Sequence, residues 1–346
     1  MYNNDIGIPN GEYFGMTCGD ESEIEIISVP WDATVSFGAG TSKAPQAIID
    51  ASIQVDLFDA DVENAWEMKL SSTMLDLSRL NGETRLAAAA VISRLEKGCK
   101  TSDADVALML EQVNAASELV NGAVYDAAKD ILDRGKTPAL VGGDHSVPFG
   151  LIKAVAERHP GVGILHIDAH ADLRCAYEGF VHSHASIMYN VTERIAGVAR
   201  LVQVAVRDFC EEERLRVASS GGRIVMFTDD SLKANEYEGV TWSRQCSEIV
   251  SCLPDKVYVS FDIDGLCPSL CPGTGTPVPG GLDFPQAMYL LKRIAFSGRE
   301  IVGFDLCEAA PRKIDGETDG ETDGWDANVA ARALFKLCCY TRRSGK

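Results

Sequence analysis

The sequence predicts an α/β fold with a mainly parallel sheet flanked by helices. Two observations carry this. Short apolar runs alternate with longer amphipathic stretches along the chain, the pattern of repeated strand–helix units. The short runs are dense in Val, Ile and Leu, as strands buried on both faces tend to be.

In chain order the predicted strands are residues 23–29, 137–141, 163–168, 201–206, 223–227, 256–262 and 300–305. The predicted helices are 105–134, 148–158, 284–295 and 326–340, the first long enough to be two helices. No repeat of a solenoid kind is evident, and no Ser/Gly or Pro linker divides the chain. A single domain over residues 23–346 is therefore expected, preceded by an N-terminal extension, 1–22. Residues 265–281 (GLCPSLCPGTGTPVPGG) form a Pro- and Gly-dense loop directly after a strand, where α/β proteins keep their sites. The duplicated acidic stretch 315–326 (DGETDGETDGWD) reads as a solvated surface loop, with Trp325 set apart.

Charge narrows the function. The chain carries 51 acidic and 32 basic residues, a formal net charge of −19. Binders of nucleic acid or of anionic membranes show the opposite sign, so neither partner is expected. A cationic small molecule fits better, although acidity also serves solubility. There is no signal-peptide pattern at the start and no run of apolar residues long enough to span a bilayer. The eleven cysteines are scattered, odd in number and without C-x-x-C pairs, which predicts reduced thiols and a cytoplasmic protein.

Four segments carry chemistry, each directly after a predicted strand. They are Gly142-Gly143-Asp144-His145-Ser146, Asp168-Ala169-His170-Ala171-Asp172, Asp262-Ile263-Asp264 and Glu308. In extended backbone, residues two apart point the same way, so Asp168, His170 and Asp172 can converge, as can Asp262 and Asp264. Adding His145 gives one pocket four carboxylates and two imidazoles. Carboxylates so crowded would not all stay ionised alone; divalent cations resolve the repulsion. Ligands of N and O type without thiolate suit Mn, Ni, Co or Fe better than a structural zinc. Bridging carboxylates would hold two ions roughly 3.5–4 Å apart. Each motif alone has a plainer reading, such as a capped turn or a polar strand end; their shared position after strands favours the site.

The segments GGDHS, DAHAD, SFDIDGL and GTGTPVPGG resemble the ureohydrolase family, which includes arginase, agmatinase, guanidinobutyrase, formiminoglutamase and guanidinase. The resemblance runs from about Val29 to the C-terminus. It implies a three-layer α/β/α arginase-like fold and assembly into homo-trimers or homo-hexamers. It also implies two Mn2+ or Ni2+ ions per chain. One would be held by His145, Asp168, Asp172 and Asp262, the other by Asp168, His170, Asp262 and Asp264. The implied reaction is attack on the guanidinium-type carbon by a water deprotonated between the ions. In it Asp172 passes a proton to the leaving amine and His184 exchanges protons with solvent. Glu308 and Thr276 would contact the guanidinium, with His182 and Trp325 as further substrate-binding candidates. His166 and His159 read as structural.

The substrate is read from the segments that differ among branches. The arginase loop for the amino-acid end of arginine is absent between Asp172 and His184. Tyr177-Glu178-Gly179 resembles agmatinases, while VPWDATVSFGAGTSKAP, QVDLFD, SHASIMYNV and WDANVAAR resemble the formiminoglutamase and guanidinase branch. The expectation is hydrolysis of guanidine, or of a small guanidino compound, to urea and an amine or ammonia. Agmatinase, guanidinobutyrase or formiminoglutamase activity is the alternative. The family's usual Asp after D-G-L is Cys267 here, which leaves open a substituted guanidine or biguanide as substrate. It also leaves open a non-catalytic subunit assembled with an active paralogue. A deacetylase-type centre with one zinc and a tyrosine is disfavoured by the ligand set.

Overall fold

A computed structural model describes residues 9–311 and 324–346. Its centre is an eight-stranded sheet with every pairing parallel. The strands are β1 (Ile24–Val29), β2 (Leu70–Met74), β3 (Thr137–Gly142), β4 (Val162–Ile167), β5 (Val198–Val206), β6 (Ile224–Thr228), β7 (Lys256–Asp262) and β8 (Glu300–Cys307). Their spatial order is β2-β1-β3-β8-β7-β4-β5-β6. The last strand thus lies between the third and the seventh.

Alternation along the strands builds one core on each face. Val141, Leu165, Ile167, Val259 and Phe261 pack on one side against α1 (Ala44–Ser52), α9 (Phe284–Ala295) and α10 (Trp325–Arg343). Leu140, Ile164, Leu201 and Tyr258 pack on the other against α3 (Ala104–Asp133), α4 (Phe149–Arg158) and α5 (Ile187–Arg194). Three layers result, as the resemblance implied. The helix starts follow local chemistry: Asp283 and Gln286 form a capping box at α9, with Pro285 in the first turn where no donor is needed.

Several details differ from the sequence reading. The long helical pattern is one continuous helix of 30 residues, not two. A separate helix, α2 (Ser78–Glu96), precedes it and was not predicted, nor were α1, α5, α6 (Glu211–Ser219), α7 (Asp229–Tyr237) and α8 (Trp242–Ser251). The edge strand β2 was also missed; its sequence LSSTM is half polar and pairs on one side only. Within the segment expected as an N-terminal extension, Tyr13 and Phe14 are buried in the core. The Tyr13 hydroxyl lies 2.8 Å from Ser28 Oγ, and Phe14 packs edge-on against Phe335. Most of the acidic duplication lies outside the described residues. All eleven cysteines are free thiols, and among the described residues no helix is long and apolar enough to cross a membrane.

Candidate metal centre and substrate pocket

The middle of the sheet decides where the site lies. β3, β8, β7 and β4 are consecutive neighbours, and the four motifs follow their carboxyl ends. His145 comes after β3, Glu308 after β8, Asp262 and Asp264 at and after β7, and Asp168, His170 and Asp172 after β4. Residues more than a hundred positions apart therefore meet in one place.

His145 Nδ1 lies 3.1 Å from Asp168 Oδ2, 3.1 Å from Asp172 Oδ2 and 3.3 Å from Asp262 Oδ2. His170 Nδ1 lies 3.1 Å from Asp264 Oδ2 and 3.4 Å from Asp168 Oδ1. Asp168 thus joins the two halves. Backbone amides fix the remaining oxygens: Ala169 N donates to Asp264 Oδ1 at 3.0 Å and Asp264 N to Asp262 Oδ1 at 2.9 Å. Asp172 and Glu308 hold left-handed backbone, with φ of 54° and 62°, a strained geometry of the kind stored at functional sites.

The donor set fits a divalent metal. Four buried aspartates face two imidazoles whose ring nitrogens point among them; donor atoms of His145, His166, Asp168 and Asp172 lie within 4.8 Å of one another, as do those of Asp168, His170 and Asp264. Without metal the cluster must hold protons. Burial opposes charge on His145, yet Asp168, Asp172, Asp262 and Asp305 outweigh it and raise the ring well above the usual imidazole pKa. Burial likewise works against His170, and Asp264 and Asp168 override it. Burial and the neighbouring Asp168 push Asp172 up to about 6, and burial with Asp264 pushes Asp262 well above the carboxylate range.

A titration result follows from the sign of these shifts. Groups raised above neutrality carry protons at pH 7, and a metal can bind only their deprotonated forms. Loading the metal-free chain with Mn2+ at pH 7 is expected to release protons, and apparent affinity should fall as the pH falls. Calorimetry in buffers of different ionisation enthalpy measures the release; a buffer-independent heat would contradict it.

His166, which shares the first cluster, has a different part. Gln203 Nε2 sits 2.7 Å from the Ala171 carbonyl, so it is the amide nitrogen, and it also donates to His166 Nδ1 at 3.0 Å. The other ring nitrogen must then carry the hydrogen that reaches Asp168 Oδ2 at 2.8 Å. His166 therefore orients Asp168, in keeping with its structural reading. His159 lies at the far end of α4, away from the cluster.

A pocket of about 150 Å³ opens onto the cluster, lined by His170, Asp172, His184, Thr276, Arg174 and Tyr177 among others. It is small beside the several hundred Å³ of typical drug-sized sites. His184 lines it, with its ring edge-on to Tyr177; burial and the charge on His170 push its pKa down to about 4. Thr276 lines it too, 3.5 Å from Asp264 Oδ2. Glu308 lies beside His184 and Thr276 and accepts from His145 N at 2.8 Å. Burial, then the neighbouring Asp144, raises its carboxyl well above the usual range.

Two candidates are placed elsewhere. His182 points away: its Nε2 meets Glu118 at 2.9 Å and its ring packs edge-on against Phe149. Trp325 begins α10 and its indole donates to the Ser269 carbonyl at 3.1 Å, outside the pocket lining. The Cys267 thiol sits 3.2 Å from Ser269 Oγ, also outside that lining. Sequence reasoning missed Ser36, Arg174, Asp208 and Glu213, which line the pocket. Asp208 could have been found, since it follows β5 as the other site residues follow their strands.

Fold and cluster together define the class: a three-layer α/β/α protein with a buried carboxylate–imidazole centre suited to divalent metal. The arginase family pattern matches residues 22–338, and the chain belongs to the arginase family. It is accordingly a hydrolase acting on C–N bonds of amidines or guanidines. It is 32% identical over 293 residues to the N(1)-aminopropylagmatine ureohydrolase of Thermus thermophilus, covering 84% of each chain. It is 29% identical over 293 residues to the agmatinase of Bacillus anthracis, covering 84% of this chain and 85% of that one. The structure of the agmatine ureohydrolase of Thermoplasma volcanium superposes with a TM-score of 0.72 at 20% identity, covering 97% and 96%, a likeness of fold.

Proposed function

We propose that the chain hydrolyses guanidine or a small guanidino compound to urea, using two Mn2+ or Ni2+ ions. The observation that carries this is the meeting of His145, His170 and four aspartates at the floor of a small pocket beside the buried Glu308. His145, Asp168, Asp172 and Asp262 would hold one ion; Asp168, His170, Asp262 and Asp264 the other. When bound, such a pair lowers the pKa of water toward neutrality and makes it a nucleophile.

The protein's own groups do the rest. Burial and Asp144 disfavour charge on Glu308, and a guanidinium entering beside it supplies a counter-charge, so substrate binding favours the ionised carboxyl and gains a charge-assisted contact. Thr276 offers a hydroxyl on the same wall. Asp172 accepts a proton and delivers it to the departing nitrogen. His184, neutral at pH 7, carries protons between pocket and solvent. The pocket's size supports a small substrate.

Agmatinase-like activity is the second reading, favoured by the names of the relatives at 32% and 29% identity. It would have to accommodate Arg174, whose guanidinium lies at the pocket wall over Tyr177, 5.1 Å from the ring centroid, with Glu213 3.7 Å away. A panel of guanidine, methylguanidine, agmatine, guanidinobutyrate, arginine and formiminoglutamate, assayed with Mn2+ and with Ni2+, separates the readings. Urea from guanidine supports the first and urea from agmatine alone the second. No product from any substrate with either metal would leave the subunit that needs an active paralogue. The free thiols support a cytoplasmic setting. A homo-trimer or homo-hexamer is the proposed assembly, read by sedimentation.

A further inference from the structure

We infer that Ser260, Asp305 and Tyr258 form a buried relay that fixes the tautomer and orientation of His145, and thereby governs capture of the ion on the His145 side. The inference rests on the two-metal reading above.

The relay is assembled by the sheet. Ser260 on β7 and Asp305 on β8 are register partners, and Tyr258 lies two residues earlier on the same face of β7. All three are fully buried. The Tyr258 hydroxyl donates to Asp305 Oδ2 at 2.7 Å, and Ser260 Oγ donates to Asp305 Oδ1 at 3.1 Å. A serine hydroxyl has one hydrogen, and here it is spent on the carboxylate. Toward His145 Nε2, 2.9 Å away, Ser260 Oγ therefore presents only lone pairs. Nε2 must carry a hydrogen, which leaves Nδ1 as the ring's metal-binding nitrogen. Nδ1 is the atom that faces Asp168, Asp172 and Asp262.

Charge points the same way. Asp305 is an acidic side chain in the interior of a sheet built from Val, Leu and Phe. Among the described residues its ion-pair partner is His145 Nε2, 3.7 Å away. An isolated buried carboxylate is costly, and an apolar residue at this position would serve packing better. Positive charge placed across the imidazole, whether a proton or a metal ion on Nδ1, is what the carboxylate stabilises. Outer partners of this kind orient a ligating imidazole and raise its basicity. His170 has no such chain to Asp305, so the relay acts on one ion and leaves the other alone.

The experiment is Mn2+ titration of the metal-depleted full-length chain by calorimetry and chelator competition, with electron paramagnetic resonance of the loaded samples. The wild-type chain should take up two ions and show the spectrum of a coupled pair. Ser260→Ala and Asp305→Asn should each weaken one ion by roughly 10–100-fold and leave the other unchanged. At limiting chelator they should give the hyperfine pattern of a single Mn2+. Tyr258→Phe, which removes one of two hydrogen bonds to Asp305, should fall between these and the wild type. Melting of the metal-free variants is the control: a merely structural role lowers that temperature without separating the two affinities. If Asp305→Asn does not fold, Ser260→Ala still decides. Both ions weakened equally, or neither weakened, overturns the relay while the metal centre stands. A wild-type chain that binds no Mn2+ or Ni2+ overturns the metal reading and the relay with it.

Discussion

Asp168→Asn is expected to cost the chain its metal and its turnover together. Asp168 is the side chain common to both halves of the cluster, 3.1 Å from His145 Nδ1 and 3.4 Å from His170 Nδ1. Its Oδ2 is additionally held by His166 at 2.8 Å, and the backbone of His170 donates to its Oδ1. An amide there is neutral and offers one acceptor where the carboxylate offers two. Its NH₂ would also meet the hydrogen on His166 Nε2, so the amide must turn and break one contact or the other. Charge stabilisation by bound metal is worth several kcal/mol, and each 1.36 kcal/mol is tenfold in rate. Loss of kcat/KM on the order of 10³-fold is therefore expected. Metal content should drop below one ion per chain by elemental analysis, with the far-UV spectrum unchanged. Asp208→Asn at the pocket wall, outside both clusters, should leave the metal content as it was. An Asp168→Asn chain that keeps two ions and full activity would refute the proposed ligand set.

The residues of the candidate centre were legible in the sequence because their chemistry is written locally. D-x-H-x-D and D-x-D after apolar runs mark the cluster, although Asp172 reaches it from left-handed backbone and Asp264 from a 3-10 turn, where the two-residue period of extended chain does not hold. The strand order was not legible, since it depends on β8 inserting between β3 and β7, which no local pattern encodes. The same limit hid the Ser260–Asp305 contact: SF and FD each look like ordinary strand residues until β7 and β8 are side by side. Two of the helices that escaped prediction have another feature in common. α6 and α7 are short, and each buries few side chains, so their apolar period is weak against a polar background. His182 illustrates a third limit. It stands two residues from His184 in a loop that is not extended, so its spacing says nothing of where its ring points.

Gly143→Ala should do more damage than most substitutions of larger residues in this chain, and for a reason of space, not of backbone freedom. A Cβ at Gly143 would lie 1.8 Å from the Trp31 carbonyl oxygen and 2.7 Å from its carbon. These are backbone atoms of a buried residue and cannot swing aside. The same two segments are tied by Gly143 N to Val29 O at 3.1 Å and by Asp144 N to Trp31 O at 2.8 Å, while Glu308 N donates to Gly143 O at 2.9 Å. Forcing the segments apart therefore breaks the hydrogen bonds that set both His145 and Glu308. Overpacking of a core typically costs about 1–3 kcal/mol, and a backbone collision belongs at the upper end or beyond. The metal-free chain should melt several degrees lower, and Mn2+ should restore less stability than in the wild type because His145 no longer reaches its partners. Gly122→Ala is the matched control: it lies on the exposed face of α3 with nothing within 4 Å of an added Cβ. There the helix should gain about 0.5–1 kcal/mol. If thermal denaturation of metal-free and metal-loaded protein ranks the two variants alike, the close approach of Gly143 to Trp31 does not hold the site in place.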